Sequence, residues 1–235
     1  MKDAYLFLFI LISFATSCSK PADQAEEYYN LGKYDLAFKM ANQAYSKDRT
    51  DAKAAVILWK SQVATRNCGS QKVVENAYSA IRETVAKWDE SIIPSLKEAL
   101  SDRKGCVRLF AIYALGDLPF DQAAKLIAEV LRGGGTEAEE PGMISRDVLI
   151  GESAVVLGKR VYTEVYDYLV EMTGSESGLL RAKSAEALGY MNDMRAVDIL
   201  KELLRDEYES GGKRIVAESA RRSLKLLTGE EYTIE

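Results

Sequence analysis

The side chains best placed for chemistry in this 235-residue chain are three cysteines, Cys18, Cys68 and Cys106, and a bunch of carboxylates, Glu137, Glu139 and Glu140. Neighbouring carboxylates are the raw material of general acid–base work, but such groups must be held within hydrogen-bond reach of a substrate. These three stand in residues 133–142, a run opened by three glycines, which holds them loosely. The glycines also invite comparison with a phosphate-cradling loop. That loop follows a strand and ends in Lys and Ser or Thr, whereas this run follows a helical pattern and leads into Glu and Pro. A flexible insertion is the expectation, with acidic contacts to a partner as the alternative. The chain has no histidine, which removes imidazole-based triads, dyads and zinc sites together. No catalytic residue, no metal ligand set and no cofactor is expected.

The elements that must carry these residues are helical. Only four prolines occur, and apolar residues recur at helical rather than alternating spacing. Ala-Leu-Gly closes residues 108–116 and again residues 181–189, and Val-Leu-Gly closes 153–158. Recurrence at roughly 30 to 45 residues is the signature of stacked helical hairpins, each burying its apolar face against its neighbours. The Val-Arg or Leu-Arg opening at Arg108 and Arg181, with the Ala-x-x-Ala-Leu-Gly close, resembles the HEAT-like repeat first grouped with phycobilin lyases. Four units are expected: 92–100 with 104–116, 120–132 with 145–159, 161–173 with 178–191, and 195–206 with 213–228. The resemblance implies that Arg108 and Arg181 bond to turn carboxylates or carbonyls, with Asp102 as a mate for Arg108. Gly116, Gly158 and Gly189 are expected to end their helices in left-handed caps.

Ahead of these units, Gly32, Tyr34, Ala37 and Ala44 fall at the positions of the turn and second helix of a tetratricopeptide repeat, which residues 24–48 resemble. Stripes at Ala55, Val56, Trp59 and Val63, and at Val74, Ala77, Ile81, Val85 and Trp88, read as two adapter helices, the second continuous over 73–88. The fold expected is an all-α, right-handed α-solenoid, with residues 24–90 tetratricopeptide-like and adapter helices and 91–235 the HEAT-like domain.

In the first unit of that domain, Leu109, Phe110, Ile112 and Tyr113 stand where repeats of this kind carry small or polar residues. Leu109 and Tyr113 share a helix face. They form a candidate partner-binding surface, against the alternative that the amino-terminal helices bury them.

Residues 1–17 read as an export signal: Lys2, an apolar run over 5–12 too short to span a bilayer, then Ala15, Thr16 and Ser17 before Cys18. The segment resembles a bacterial lipoprotein signal. That resemblance implies cleavage before Cys18 and acylation there (palmitate-type chains), followed by a short polar linker over 19–23. Ser19 after the cysteine points to the outer membrane, facing the periplasm. In an oxidising compartment Cys68 and Cys106 are candidates for a disulfide.

The formal charge is −5, and the basic residues Lys213, Arg214, Arg221, Arg222 and Lys225 are diluted by acids, so nucleic acid is not an expected partner. The expected function is a non-catalytic, lipid-anchored scaffold for envelope proteins. The alternatives are an assembly or pilot factor for a secretion or pilus complex, and a lyase-like ligand-binding protein.

Overall fold

The computed structural model describes residues 20–65, 70–79, 81–133 and 144–234. The signal segment, Cys18, Cys68 and most of the Gly-rich run, with Glu137, Glu139 and Glu140, lie outside the described residues. The chain divides into two compact units, the first ending at Asn67 and the second starting at Cys68. Among the described residues the protein is helical apart from one two-stranded hairpin, and no helix is long and apolar enough to cross a membrane.

The first unit holds α1 (Pro21–Asn30), α2 (Tyr34–Lys47) and α3 (Ala52–Thr65). Helix α1 starts at Pro21, inside the stretch expected as linker, because proline at the first helical position loses an N–H that has no partner there anyway. The turn into α2 depends on Gly32, at φ 73. The Lys33 N–H reaches back to the Tyr28 carbonyl, the bond that closes a helix through a left-handed residue. Alanines at 25, 37 and 41 are fully buried, so helices meet there with little side-chain bulk between them. Lys53 on α3 pairs with Asp23 (2.9 Å) and Glu26 (2.6 Å) on α1.

In the second unit, the expected adapter helix over 73–88 is broken. Residues Gln71–Ser79 form α4 and Arg82–Val85 form α5, with Val74, Ile81 and Val85 buried as the stripe requires. Four hairpins follow. Helices α6 (Ile93–Ala99) and α7 (Gly105–Asp117) form the first, α8 (Asp121–Leu131) and α9 (Arg146–Lys159) the second. Helices α10 (Tyr166–Met172) and α11 (Gly178–Tyr190) form the third, α12 (Val197–Glu202) and α13 (Ile215–Thr228) the last. Single 3-10 turns lead into α6, α10 and α12. The second helices of successive hairpins lie side by side, α7 on α9, α9 on α11 and α11 on α13, with the first helices against them. This is the all-α solenoid stacking that the repeats imply.

Gly116, Gly158 and Gly189 are not left-handed caps. Each lies inside its helix without positive φ, and the left-handed positions after α9 and α11 are Val161 (φ 52) and Asn192 (φ 54). Glycine is needed at these three sites for close approach. A Cβ on Gly158 would come within 2.5 Å of the Ala187 carbonyl oxygen, and one on Gly189 within 2.4 Å of Ser223 Oγ. Left-handed glycines do follow α8, where Gly133 has φ 93, and α13, where Gly229 has φ 76.

The hairpin β1 (Glu209–Ser210) and β2 (Lys213–Arg214) was not anticipated. Its signal is Gly211-Gly212, both at positive φ (59 and 72), which suits a two-residue turn between antiparallel strands. It sits between α12 and α13. Tyr208, just before it, lies against Gly178 so closely that no Cβ would fit.

Candidate functional site

An open cleft of about 360 Å³ lies where α4, α5, α7 and α9 come together. Residues seven apart on a helix share a face, so Glu152 and Lys159 both look into it from α9. Tyr113, Gly116 and Asp117 on α7 form the floor, and Glu75, Tyr78 and Arg82 the far wall. The rings of Tyr78 and Tyr113 stand 5.6 Å apart, tilted by 41°.

Two carboxylates organise this wall and floor. Asp117 accepts the Tyr78 hydroxyl (2.5 Å) and two Arg82 nitrogens (2.7 and 3.0 Å). Glu152, only 5% exposed, accepts the Gln71 amide (2.8 Å) and the Tyr113 hydroxyl (3.0 Å) and pairs with Lys183 of α11 at 2.6 Å. A buried charge is tolerated only when paired and hydrogen-bonded, and three donors meet that need. The result is a polar ladder from α4 through α7 and α9 to α11.

Burial, together with the neighbouring carboxylates Asp117 and Glu152, pushes the phenols of Tyr78 and Tyr113 well above the ordinary tyrosine range. Both remain protonated donors. Burial lowers the Lys183 pKa, but Glu152 and Glu186 more than offset it and the ammonium is held above its usual value. Arg160 caps α7: its guanidinium donates to the carbonyls of Leu115 (3.1 Å), Gly116 (3.3 Å), Leu118 and Phe120 (3.1 Å). Such an arrangement binds and orients. Asp117 and Glu152 are already occupied by neighbouring donors, and the hydroxyls, held protonated, are poor nucleophiles.

Leu109, Phe110 and Ile112 do not form the exposed surface proposed for them. All three are at most 1% exposed, and only Tyr113 is partly open. Helix α4 lies against α7, with Tyr78 edge-on to Phe110 at a ring separation of 6.0 Å, and α6, α8 and α9 pack on α7 as well. The extra apolar bulk on α7 therefore serves an internal contact. Sequence analysis missed Glu75, Tyr78, Asp117, Glu152 and Lys159. The available signal was Glu152, a charge at the position that Phe110 occupies in the preceding unit.

Arg181 behaves as the resemblance implies. It pairs with Asp206 (2.7 Å) and donates to the carbonyls of Ser175 (2.9 Å) and Glu176 (3.1 Å). Asp102 accepts the Lys104 N–H at 2.8 Å. Cys106 is fully buried and disulfide-bonded; both other cysteines lie outside the described residues. The basic cluster on the last helix is largely tied up, with Arg221 on Glu218 (3.0 Å) and Lys225 on Glu231. Among the described residues no group of three or more cysteine or acidic residues is arranged to hold a metal ion.

Residues 180–206, spanning most of α11, the turn and α12, match the PBS lyase HEAT-like repeat family. No curated protein matches the chain.

Proposed function

We propose that this chain is a non-catalytic lipoprotein that holds another envelope protein against its stacked helices. The observation that carries this reading is the cleft on α4, α7 and α9. It is open and lined by both polar and apolar groups, yet Asp117 and Glu152 are bonded to its two phenols rather than poised for proton transfer. HEAT-like stacking supports a role in protein interaction, because successive helices present an extended surface. Nothing observed favours the lyase-like alternative.

Anchoring rests on the sequence around Cys18, where small residues precede the cysteine. Acylation there with two or three chains makes attachment stable, since a single chain binds only marginally. The proposed location is the outer membrane, facing the periplasm. The candidate disulfide between Cys68 and Cys106 belongs to the same proposal, because an exported chain meets an oxidising compartment.

The test is crosslinking in cells of an affinity-tagged wild-type protein from the membrane fraction, with Cys18→Ala as control. Recovery of one envelope complex with the wild type, lost with the control, is expected. Recovery from the cytosol, or labelled acyl chains still incorporated by Cys18→Ala, overturns the anchor. An assembly or pilot role has a further readout: the partner reaches the outer membrane only when this protein is present.

A further inference from the structure

The cleft is electrically two-ended. Helices α4, α7 and α9 run the same way along it, as their cross-links require: Gln71 and Tyr113 meet Glu152, while Tyr78 and Arg82 meet Asp117 further along. At the first end Glu75 and Glu152 stand against one ammonium, that of Lys183, which also lies 3.6 Å from Glu186. One Glu75 oxygen accepts the Gln71 amide at 2.7 Å, and among the described residues the other has no donor. At the second end Arg82, Lys159 and Arg160 stand against two carboxylates, Asp117 in the lining and Asp121 beside Arg160. Lys159 has no carboxylate partner among the described residues; its ammonium lies 5.1 Å from the ring centre of Tyr190. Between the ends are Tyr78, Tyr113 and Val156, which offer apolar contact.

We propose that the cleft binds an extended segment of the partner protein in which a basic and an acidic residue stand three positions apart, the base against Glu75 and the acid against Lys159 and Arg82. The inference rests on the scaffold reading above and specifies what is held. The Gln71 amide donates to both Glu75 and Glu152, which sets the two carboxylates side by side. The spacing therefore follows from α9: seven residues from Glu152 to Lys159 span about 10 Å at 1.5 Å per residue. An extended segment in the polyproline II conformation covers that distance in about three residues at 3.1 Å each, and its turn of three residues returns both side chains to one face. Opposite charges at the two ends select both spacing and polarity, since the reversed segment places like charges together.

The probe is an array of immobilised decapeptides in an Ala-Ser background, carrying Arg and Glu at separations of one to six in both polarities, with Gln-Gln controls. The full-length chain in detergent is applied, beside E75Q/K159Q and E75K/K159E variants whose circular-dichroism melting shows that they fold. Retention is expected to peak at separation three in one polarity, to fall at least tenfold with E75Q/K159Q, and to switch polarity with E75K/K159E. Several results overturn the proposal: equal retention at all separations, retention of Gln-Gln peptides, indifference to the substitutions, or no retained peptide, including binding only of free zwitterionic amino acids. If E75K/K159E still captures the partner in cells, the scaffold reading stands and this inference falls. If the wild type captures nothing, the scaffold reading itself falls.

Discussion

Helices α9 and α11 approach backbone to backbone, whereas α7 and α9 border an open cleft, although each pair has glycine at the same point of its leading helix. Against Gly158 stands Ala187, whose carbonyl oxygen, Cα and carbonyl carbon would lie 2.5, 2.8 and 3.0 Å from an added Cβ. Against Gly116 stands Val156, met only by its side chain, at 2.4 Å. The glycine permits approach in both cases. The residue facing it decides how close the backbones come, so one repeat motif builds a tight joint at one place and a lined recess at another.

The largest expected effect comes from the ladder that crosses from the recess to the tight joint. Glu152→Ala strips Lys183, Tyr113 and Gln71 of their shared acceptor, and breaking a buried, charged pair in this way costs about 3–5 kcal/mol. Urea denaturation gives the value. A loss below 1 kcal/mol would mean that the ladder does not join the two regions energetically.

Next is the glycine pair. Gly158→Ala pushes against backbone and is expected to cost about 3 kcal/mol, and Gly116→Ala about 1 kcal/mol, within the usual range for overpacking. Adding Val156→Ala should relieve Gly116→Ala and leave Gly158→Ala unchanged. A double-mutant cycle measures this coupling. Equal costs at the two glycines would erase the distinction between joint and recess.

A smaller effect lies in the acid range. Burial raises the Asp206 pKa, but Arg181 and the Tyr208 N–H more than offset that, and its carboxyl is held below the usual 3.8. A group with a depressed native pKa stabilises the fold above its unfolded pKa, and loses that contribution as pH falls through the native one. Stability of the wild type should therefore drop below pH 3.8 more steeply than that of Asp206→Asn, as thermal melting across pH would record. Parallel curves would show that Arg181 acts through the Ser175 and Glu176 carbonyls alone.

The smallest effect is a gain. Val161 is half exposed, β-branched and left-handed, where Asn192 stands at the equivalent turn of the next hairpin. Val161→Asn should add about 1 kcal/mol, the usual cost of that conformation for an ordinary L residue, read as a rise in Tm. No change would mean that neighbouring contacts hold the turn regardless of its residue.

The hairpins were legible because burial imposes periodicity. Four pairs of helices follow the expected pattern. The second helix of each lies within two residues of its expected ends and the first helices are shorter, with α10 starting at Tyr166 rather than at 161. Arg181 makes the contacts its motif implies. The recess was not legible. Its parts, Glu75, Tyr78, Tyr113, Asp117, Glu152 and Lys159, come from three segments spread over more than eighty residues, and nothing in local spacing says which helix faces lie opposite each other. The same gap explains the reversal at Leu109, Phe110 and Ile112. Their apolar character was plain, but whether solvent, a partner or neighbouring helices cover them depends on how those helices pack on α7.

What the sequence determines by itself is therefore the local grammar: helix content, the repeat, the absence of imidazole chemistry and the need for glycine at 116, 158 and 189. Tertiary structure alone decided why those glycines are needed. A cap is set by a residue's own backbone, whereas close approach is set by the neighbour, and the neighbour is chosen by packing. Tertiary structure likewise decided that Glu152, one acid among many in the sequence, sits buried with three donors and divides the cleft from the joint beside it.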